Sequence, residues 1–213
     1  RYPPNHPPIE RGVLHPRFTD FNAPRMIERL LSLDGDPENG FIRLLRDPRG
    51  FAAPLPALPV PVDDTGFTRS QERAFRHMTE NRLTLVWGPP GTGKTTFLSA
   101  AILSLVQARQ DQRQGIRILV TAFTHSAVEN LLSKVQSQVH DLPVGKGVRV
   151  VKIDRDQTVR RNGPASTTND AIRAGLFADD PSLVLGGTVY GIYKASGHLA
   201  PFDILIVDEA SQL

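Results

Sequence analysis

Apolar residues follow two alternating patterns after residue 63. Short apolar runs predict strands at residues 83–87, 116–121, 148–153, 183–186 and 204–207. One amphipathic helix is predicted by apolar residues at helical spacing, namely Leu98, Ala101, Ile102 and Leu105. A second amphipathic helix is predicted by Val128, Leu131, Leu132 and Val135, and its start is marked by Ser126 and Glu129, which are spaced as a capping box. This alternation predicts an α/β domain whose parallel sheet is covered by helices on both faces.

Residues 1–62 have a different composition. Twelve of the eighteen prolines precede residue 63, and residues 54–61 carry proline too often for a helix or a central strand. Residues 23–33 could form a short helix. We interpret residues 1–62 as a proline-rich linker or the tail of a preceding module, and residues 63–213 as the main domain. A docking site for proline-binding domains is the alternative for the proline run.

The composition excludes several kinds of site. There is no cysteine, so disulfides, thiol catalysis, iron–sulfur clusters and cysteine-based zinc sites are excluded. The six histidines lack ligand spacing. No apolar run approaches the roughly 18 residues of a membrane span, and no secretory signal opens the chain. We therefore expect an intracellular protein, cytoplasmic or nuclear, without a membrane partner.

Basic residues are concentrated in one stretch of a chain whose net charge is only +3. Residues 146–173 contain seven Lys and Arg against three Asp. The stretch, which includes Arg160 and Arg161, could follow a phosphate backbone or form an ordinary solvated face.

A phosphate-binding loop is predicted between the first strand and the first helix. Residues 88–95 match G-x-x-x-x-G-K-[ST], whose backbone N–H groups surround phosphate oxygens. Lys94 would reach the β- and γ-phosphates, and the Thr95 hydroxyl would bind Mg²⁺. A plain glycine-rich turn is the alternative. The residues expected to bind ATP here are Gly88, Pro89, Pro90, Gly91, Thr92, Gly93, Lys94, Thr95 and Thr96.

An acidic pair follows the last apolar strand. Asp208 would hold Mg²⁺, and Glu209 would orient and deprotonate the attacking water, as expected of a hydrolase. Because parallel strands end at one edge of a sheet, the pair should lie near the phosphate loop.

These motifs together resemble those of superfamily 1 helicases, in the branch that contains the nonsense-mediated-decay RNA helicase and the Okazaki-fragment nuclease-helicase. The resemblance covers residues 67–213 and rests on residues 67–71, 88–95, 121–131, 187–191 and 208–212. It implies a RecA-like P-loop NTPase fold, with ATP and Mg²⁺ as cofactors.

The resemblance also implies roles for further residues. Gln71 would contact the adenine edge, although Thr68 and Gln71 also have capping-box spacing. Gln212 would link nucleotide state to the strand. Phe123 could stack on a base or be buried beneath its loop. The residues expected to contact single-stranded DNA or RNA are Thr121, Thr124, His125, Ser126, Asn130 and Thr188, the last beside Gly186 and Gly187, which could admit a phosphate or form a turn.

The expected function is that of an ATP-dependent helicase or translocase. The sequence stops soon after the acidic motif, so we expect the domain to be incomplete at its C-terminus and to need a second RecA-like motor domain of the same chain. That domain would supply arginines worth about 10³ to 10⁵ in rate, so the isolated chain should hydrolyse ATP poorly. The alternative is a regulatory P-loop switch that controls a partner assembly.

Overall fold

The chain divides into two compact units, Arg1–Ala53 and Pro54–Leu213, in a computed structural model. The structure describes residues 27–28, 31–32, 36, 39–54, 60, 66–89, 91–139, 147–154 and 163–210. In the first unit, helix α1 is Gly40–Arg46 and helix α2 is Pro48–Phe51. Of the helix expected at 23–33, residues 27, 28, 31 and 32 are helical, and the others lie outside the described residues.

The second unit begins within the proline-rich stretch. Pro54 forms a single antiparallel bridge with Asn81, and Val60 packs against the main core. The two contacts connect the start and the end of the proline run to the main domain. The structural division therefore falls at Ala53, before the boundary at residue 62 that composition suggests.

The second unit is built on a parallel sheet of five strands. They are β1 Arg117–Ala122, β2 Val148–Ile153, β3 Ala165–Thr167, β4 Ser182–Thr188 and β5 Ile204–Val207. Their order in the sheet is β3-β2-β4-β1-β5, and every pair is parallel. The helices are α3 Arg69–Glu80, α4 Lys94–Asp111, α5 His125–Val139, α6 Asn169–Arg173 and α7 Val189–Ala195, followed by a 3₁₀ turn at Ser196–His198.

Two apolar clusters lie on opposite faces of this sheet. One joins α3, α4 and α5 to strand residues such as Val120 and Val184, and the other joins α6 and α7 to Leu183 and Leu185. Neighbouring residues of β4 therefore point to different clusters, as strand geometry requires. The expected α/β fold with helices on both faces is confirmed.

The prediction of a strand at residues 83–87 is wrong. These residues form no sheet ladder with any other described residue, and the side chains of Leu85 and Trp87 are each 87% exposed. Among the described strands, β5 pairs on one side only, with β1. An apolar run predicts burial, but a strand also needs a neighbour with free backbone groups. The three-residue strand β3 was too short to be found from the pattern.

Candidate nucleotide site and nucleic-acid interface

The phosphate loop turns sharply into helix α4. Gly91 and Gly93 have φ angles of 83° and 79°, in the left-handed region that favours glycine. Gly93 lies at the N-cap position of α4, where its carbonyl accepts a hydrogen bond from the N–H of Phe97 at 2.8 Å. The loop thus ends at a helix N-terminus, whose unpaired N–H groups and partial positive charge suit a phosphate. Pro90 lies outside the described residues.

Lys94 extends its ammonium group back over the loop. Its Nζ donates to the carbonyl oxygens of Gly88 at 2.7 Å and Pro89 at 3.1 Å. The Thr92 hydroxyl donates to the same Pro89 carbonyl at 2.8 Å. A Cβ added at Gly88 would lie 2.8 Å from Thr92 Oγ1, so a larger residue there would displace the Thr92 hydroxyl. The loop therefore holds a cation beside a curled backbone, a donor set that fits a polyphosphate.

The acidic pair lies at the carboxyl edge of the sheet. The N–H of Asp208 donates to the Thr121 carbonyl at 2.8 Å, which continues the β5–β1 pairing past the end of β5. The N–H of Glu209 donates to Asp208 Oδ1 at 2.9 Å. Glu209 has a φ of 53°, unusual for a residue with a side chain, and is exposed. Asp208 and Glu209 thus directly follow β5, beside the end of β1.

The described residues contain no group of three or more His, Asp or Glu side chains that could hold a metal by themselves. A Mg²⁺ site of one hydroxyl and one carboxylate, completed by phosphate oxygens and water, needs no such group, since Mg²⁺ usually keeps several waters. The donor set of Thr95 and Asp208 fits that pattern.

Gln71 forms the capping box that competed with its adenine role. Its Oε1 accepts a hydrogen bond from the N–H of Thr68 at 3.0 Å, and the Thr68 hydroxyl accepts one from the N–H of Gln71 at 3.4 Å. Gln71 Nε2 lies 3.9 Å from the position of a Cβ on Gly93. The cap uses only the carbonyl end of the amide, and the NH₂ end lies next to the phosphate loop.

The start of α5 differs from the expected one. The Thr124 hydroxyl accepts a hydrogen bond from the N–H of Ala127 at 3.2 Å, so the helix begins at His125. Ser126 is already helical, and its hydroxyl lies 3.3 Å from that of Thr124. The capping box expected from Ser126 and Glu129 is wrong, because Ser126 lies within the helix and Thr124 provides the cap. Glu129 instead forms an ion pair with Lys152.

The expected nucleic-acid residues separate into accessible and inaccessible ones. His125, Ser126 and Asn130 are exposed, and Thr124 is partly exposed. Thr121 does not fit the expectation, since it is buried and its hydroxyl donates to the Gly187 carbonyl of β4 at 2.9 Å. That contact joins two strands and leaves no hydroxyl for a phosphate.

At the end of β4, Thr188 caps α7 by accepting from the N–H of Gly191 at 3.3 Å. Gly186 and Gly187 are neither a turn nor a phosphate approach, because both lie inside β4 and are buried. A Cβ on Gly186 would lie 2.6 Å from Leu132 of α5, and one on Gly187 would lie 3.2 Å from Ile153. The glycines allow close packing on the two faces of the strand.

The basic stretch is largely neutralised where the structure describes it. Arg149 pairs with Asp180 at 3.1 Å, and Arg173 pairs with Asp170 at 3.1 Å. Lys152 is 5% exposed and contacts both Glu129 and Asp154. Burial lowers the pKa of Lys152, but the hydrogen bonds to these two carboxylates outweigh it and raise the pKa above its usual value. The other basic residues of the stretch lie outside the described residues, namely Lys146, Arg155, Arg160 and Arg161.

Sequence reasoning missed one polar contact close to the phosphate loop. Lys134, in the second half of α5, donates from Nζ to Thr96 Oγ1 at 2.6 Å. Thr96 is in the first turn of α4 and directly follows Thr95. No motif marks Lys134, and only the packing of α5 on α4 brings the two residues together.

The loop, its lysine and the acidic pair, on a parallel sheet covered on both faces, define a P-loop NTPase domain. A family model described as an AAA domain matches residues 66–176, just over half of the chain. The chain belongs to this family and is a superfamily 1 helicase motor domain.

Curated relatives share the resemblance over most of the chain. The DNA replication ATP-dependent helicase/nuclease DNA2 of Mus musculus is 31% identical over 212 residues, covering 92% of this chain and 19% of the relative. The protein of the same name from Saccharomyces cerevisiae is 31% identical over 163 residues, covering 74% and 10%. The chain thus spans a fifth or less of these relatives. No solved structure matches it.

Proposed function

We propose that this chain is the ATP-binding motor domain of an enzyme that unwinds or moves along single-stranded DNA. The observation that supports the proposal is that the acidic pair and the exposed start of α5 directly follow β5 and β1 at the carboxyl edge of one sheet. Helix α4 returns the chain to the beginning of β1, which favours a position of the phosphate loop at that edge as well. Ligands of parallel α/β sheets bind at this edge.

In this proposal the phosphate loop binds the triphosphate of ATP. The ammonium group of Lys94, which now donates to two loop carbonyls, would donate to phosphate oxygens. Thr95 and Asp208 would hold Mg²⁺, which when bound neutralises charge on the β- and γ-phosphates. The Gln71 amide can serve two partners, since its oxygen caps α3 and its NH₂ group is available for the adenine edge.

Glu209 would act as the general base of ATP hydrolysis. It accepts a proton from a water molecule whose oxygen attacks the γ-phosphorus, and the bond from that phosphorus to the bridging oxygen of ADP breaks. The exposure of Glu209, directly after β5, supports this role, because a carboxylate in contact with solvent can reach such a water. Arginines from a second motor domain of the same chain would complete the site.

The single-stranded DNA would bind along the carboxyl ends of β1 and β4. Thr124 and Thr188 both accept a backbone hydrogen bond and keep their O–H groups for phosphate oxygens. His125, Ser126 and Asn130 extend this surface. Phe123 follows β1 and is 59% exposed, which favours base stacking over the buried alternative. The names of the relatives, which refer to DNA replication, favour DNA and an intracellular site of action.

The test is ATP hydrolysis by the full-length protein with and without single-stranded oligonucleotides of DNA and RNA. We expect strong stimulation by DNA at saturating ATP. ATP hydrolysis that neither single-stranded DNA nor single-stranded RNA stimulates would contradict the motor function and favour the regulatory switch.

The described helices include none long and apolar enough to cross a bilayer.

A further inference from the structure

We propose that the Lys134–Thr96 hydrogen bond couples the nucleotide site to the strand-binding end of α5, so that Lys134 is a positioning residue of the motor. The inference rests on the proposed function, because it needs both ligands. It goes further by assigning a role to a contact that no motif marks.

One end of this contact lies directly behind the phosphate loop. Thr96 follows Thr95, and its Cβ is 4.0 Å from the position of a Cβ on Gly93, the N-cap residue of α4. Phosphates bound by Lys94 and Thr95 would act on the same helical turn. Thr96 therefore responds to any shift of that turn when ATP binds or ADP leaves.

The other end of the contact lies on the helix that carries the strand-facing residues. Lys134 is nine residues after His125, or about 13 Å along the axis at 1.5 Å per residue. The apolar face of α5 is completely buried at Val128, Leu131, Leu132 and Val135. A helix packed in this way moves as a unit, because close-packed interiors transmit displacement. A displacement of α5 at Lys134 would therefore also displace Thr124 and His125.

A second polar contact holds the middle of the same helix. Glu129 pairs with Lys152 of β2, and Lys152 also pairs with Asp154. This ion pair fixes α5 to the sheet on a face other than the one that Lys134 presents to α4. The helix is therefore held to the sheet at Glu129 and connected to the phosphate-loop helix at Lys134, so the Lys134 contact can change how α5 is oriented.

Linked binding measures this coupling in the full-length protein. The affinity for a fluorescent oligo-dT strand is measured by anisotropy, with and without a non-hydrolysable ATP analogue, and the ratio of the two is the coupling factor. Linkage requires the strand to change analogue affinity by the same factor. We expect Lys134→Met, which keeps the aliphatic length, to bring the factor about twofold to thirtyfold closer to one.

Two variants complete the design. Lys134→Arg should restore much of the coupling, because it keeps a donor of positive charge. Arg73→Met, on the exposed face of α3, removes one positive charge as a control and should leave the coupling factor unchanged.

Each remaining outcome has a distinct meaning. A wild-type coupling factor in Lys134→Met would overturn the inference and leave the proposed function intact. Weaker analogue binding by Lys134→Met without DNA would also overturn it, because Lys134 would then be a nucleotide ligand. If the wild-type protein itself shows no coupling between strand and nucleotide, the proposed function fails and not only this contact.

Discussion

The phosphate loop and the proposed DNA-binding edge at the ends of β1 and β4 differ in how well their roles can be predicted from residue types. In the loop, Gly91, Gly93 and Lys94 adopt a conformation and contacts that suit phosphate. At the strand-facing edge, Thr121 is a buried link between strands, and Gly186 is a packing position. A phosphate loop imposes strict backbone demands, so its residues are distinctive. Binding the phosphate backbone of single-stranded DNA requires only hydrogen-bond donors. Residues with purely structural roles carry the same donors, so residue type does not distinguish the two roles.

The largest effect on this comparison should come from Glu209→Gln in the full-length protein. ATP binding should persist while turnover falls by roughly 10²-fold or more, because the amide cannot accept the proton of water. Calorimetry and steady-state ATP hydrolysis separate the two quantities. Turnover near wild type would mean that another acid is the base.

Next in size is Lys94→Ala. Loss of a charge-assisted hydrogen bond worth about 1.5–3 kcal/mol should weaken Mg-ATP binding at least about tenfold, as measured by calorimetry. Folding should survive, since the Lys94 ammonium group bonds to carbonyls of the loop and Lys94 is not part of the apolar clusters. An unchanged affinity for Mg-ATP would contradict the assignment of residues 88–95 as the phosphate loop.

Gly186→Ala tests whether the glycine pair serves packing. The new methyl group would lie 2.6 Å from Leu132 and 2.9 Å from Val128, so we expect a loss of about 1–3 kcal/mol in the free energy of unfolding. Gly197→Ala is the matched control, because nothing lies within 4 Å of a Cβ there. Equal stability of the two variants in urea titrations would refute the packing role.

The smallest effect should distinguish Thr121 from Thr124, both of which were predicted from the sequence to contact the nucleic acid. Thr121→Val should cost about 1 kcal/mol of stability and leave oligonucleotide affinity unchanged, since its hydroxyl bonds only to β4. Thr124→Val should weaken oligonucleotide binding. The assignment is wrong if Thr121→Val weakens strand binding at unchanged stability.

Much of the fold could be predicted because buried parallel strands are continuous apolar runs. Strands β2 and β5 have the expected bounds, and β1 is shifted by one residue. Residues 83–87 have the same composition but no ladder, because pairing depends on a neighbour that the pattern does not report. Lys152 and Lys134 were missed as partners for a similar reason, since their contacts join elements distant in sequence.

The most direct test of the central claim, that this sheet edge binds the backbone of a single strand, is oligonucleotide affinity across a salt series in the full-length protein. We expect affinities that hardly depend on base sequence and fall with salt at a logarithmic slope of about −0.7 per neutralised phosphate. Arg160→Glu with Arg161→Glu should reduce that slope if the basic stretch follows the strand. Salt-independent binding, or strong preference for one base sequence, would contradict the claim.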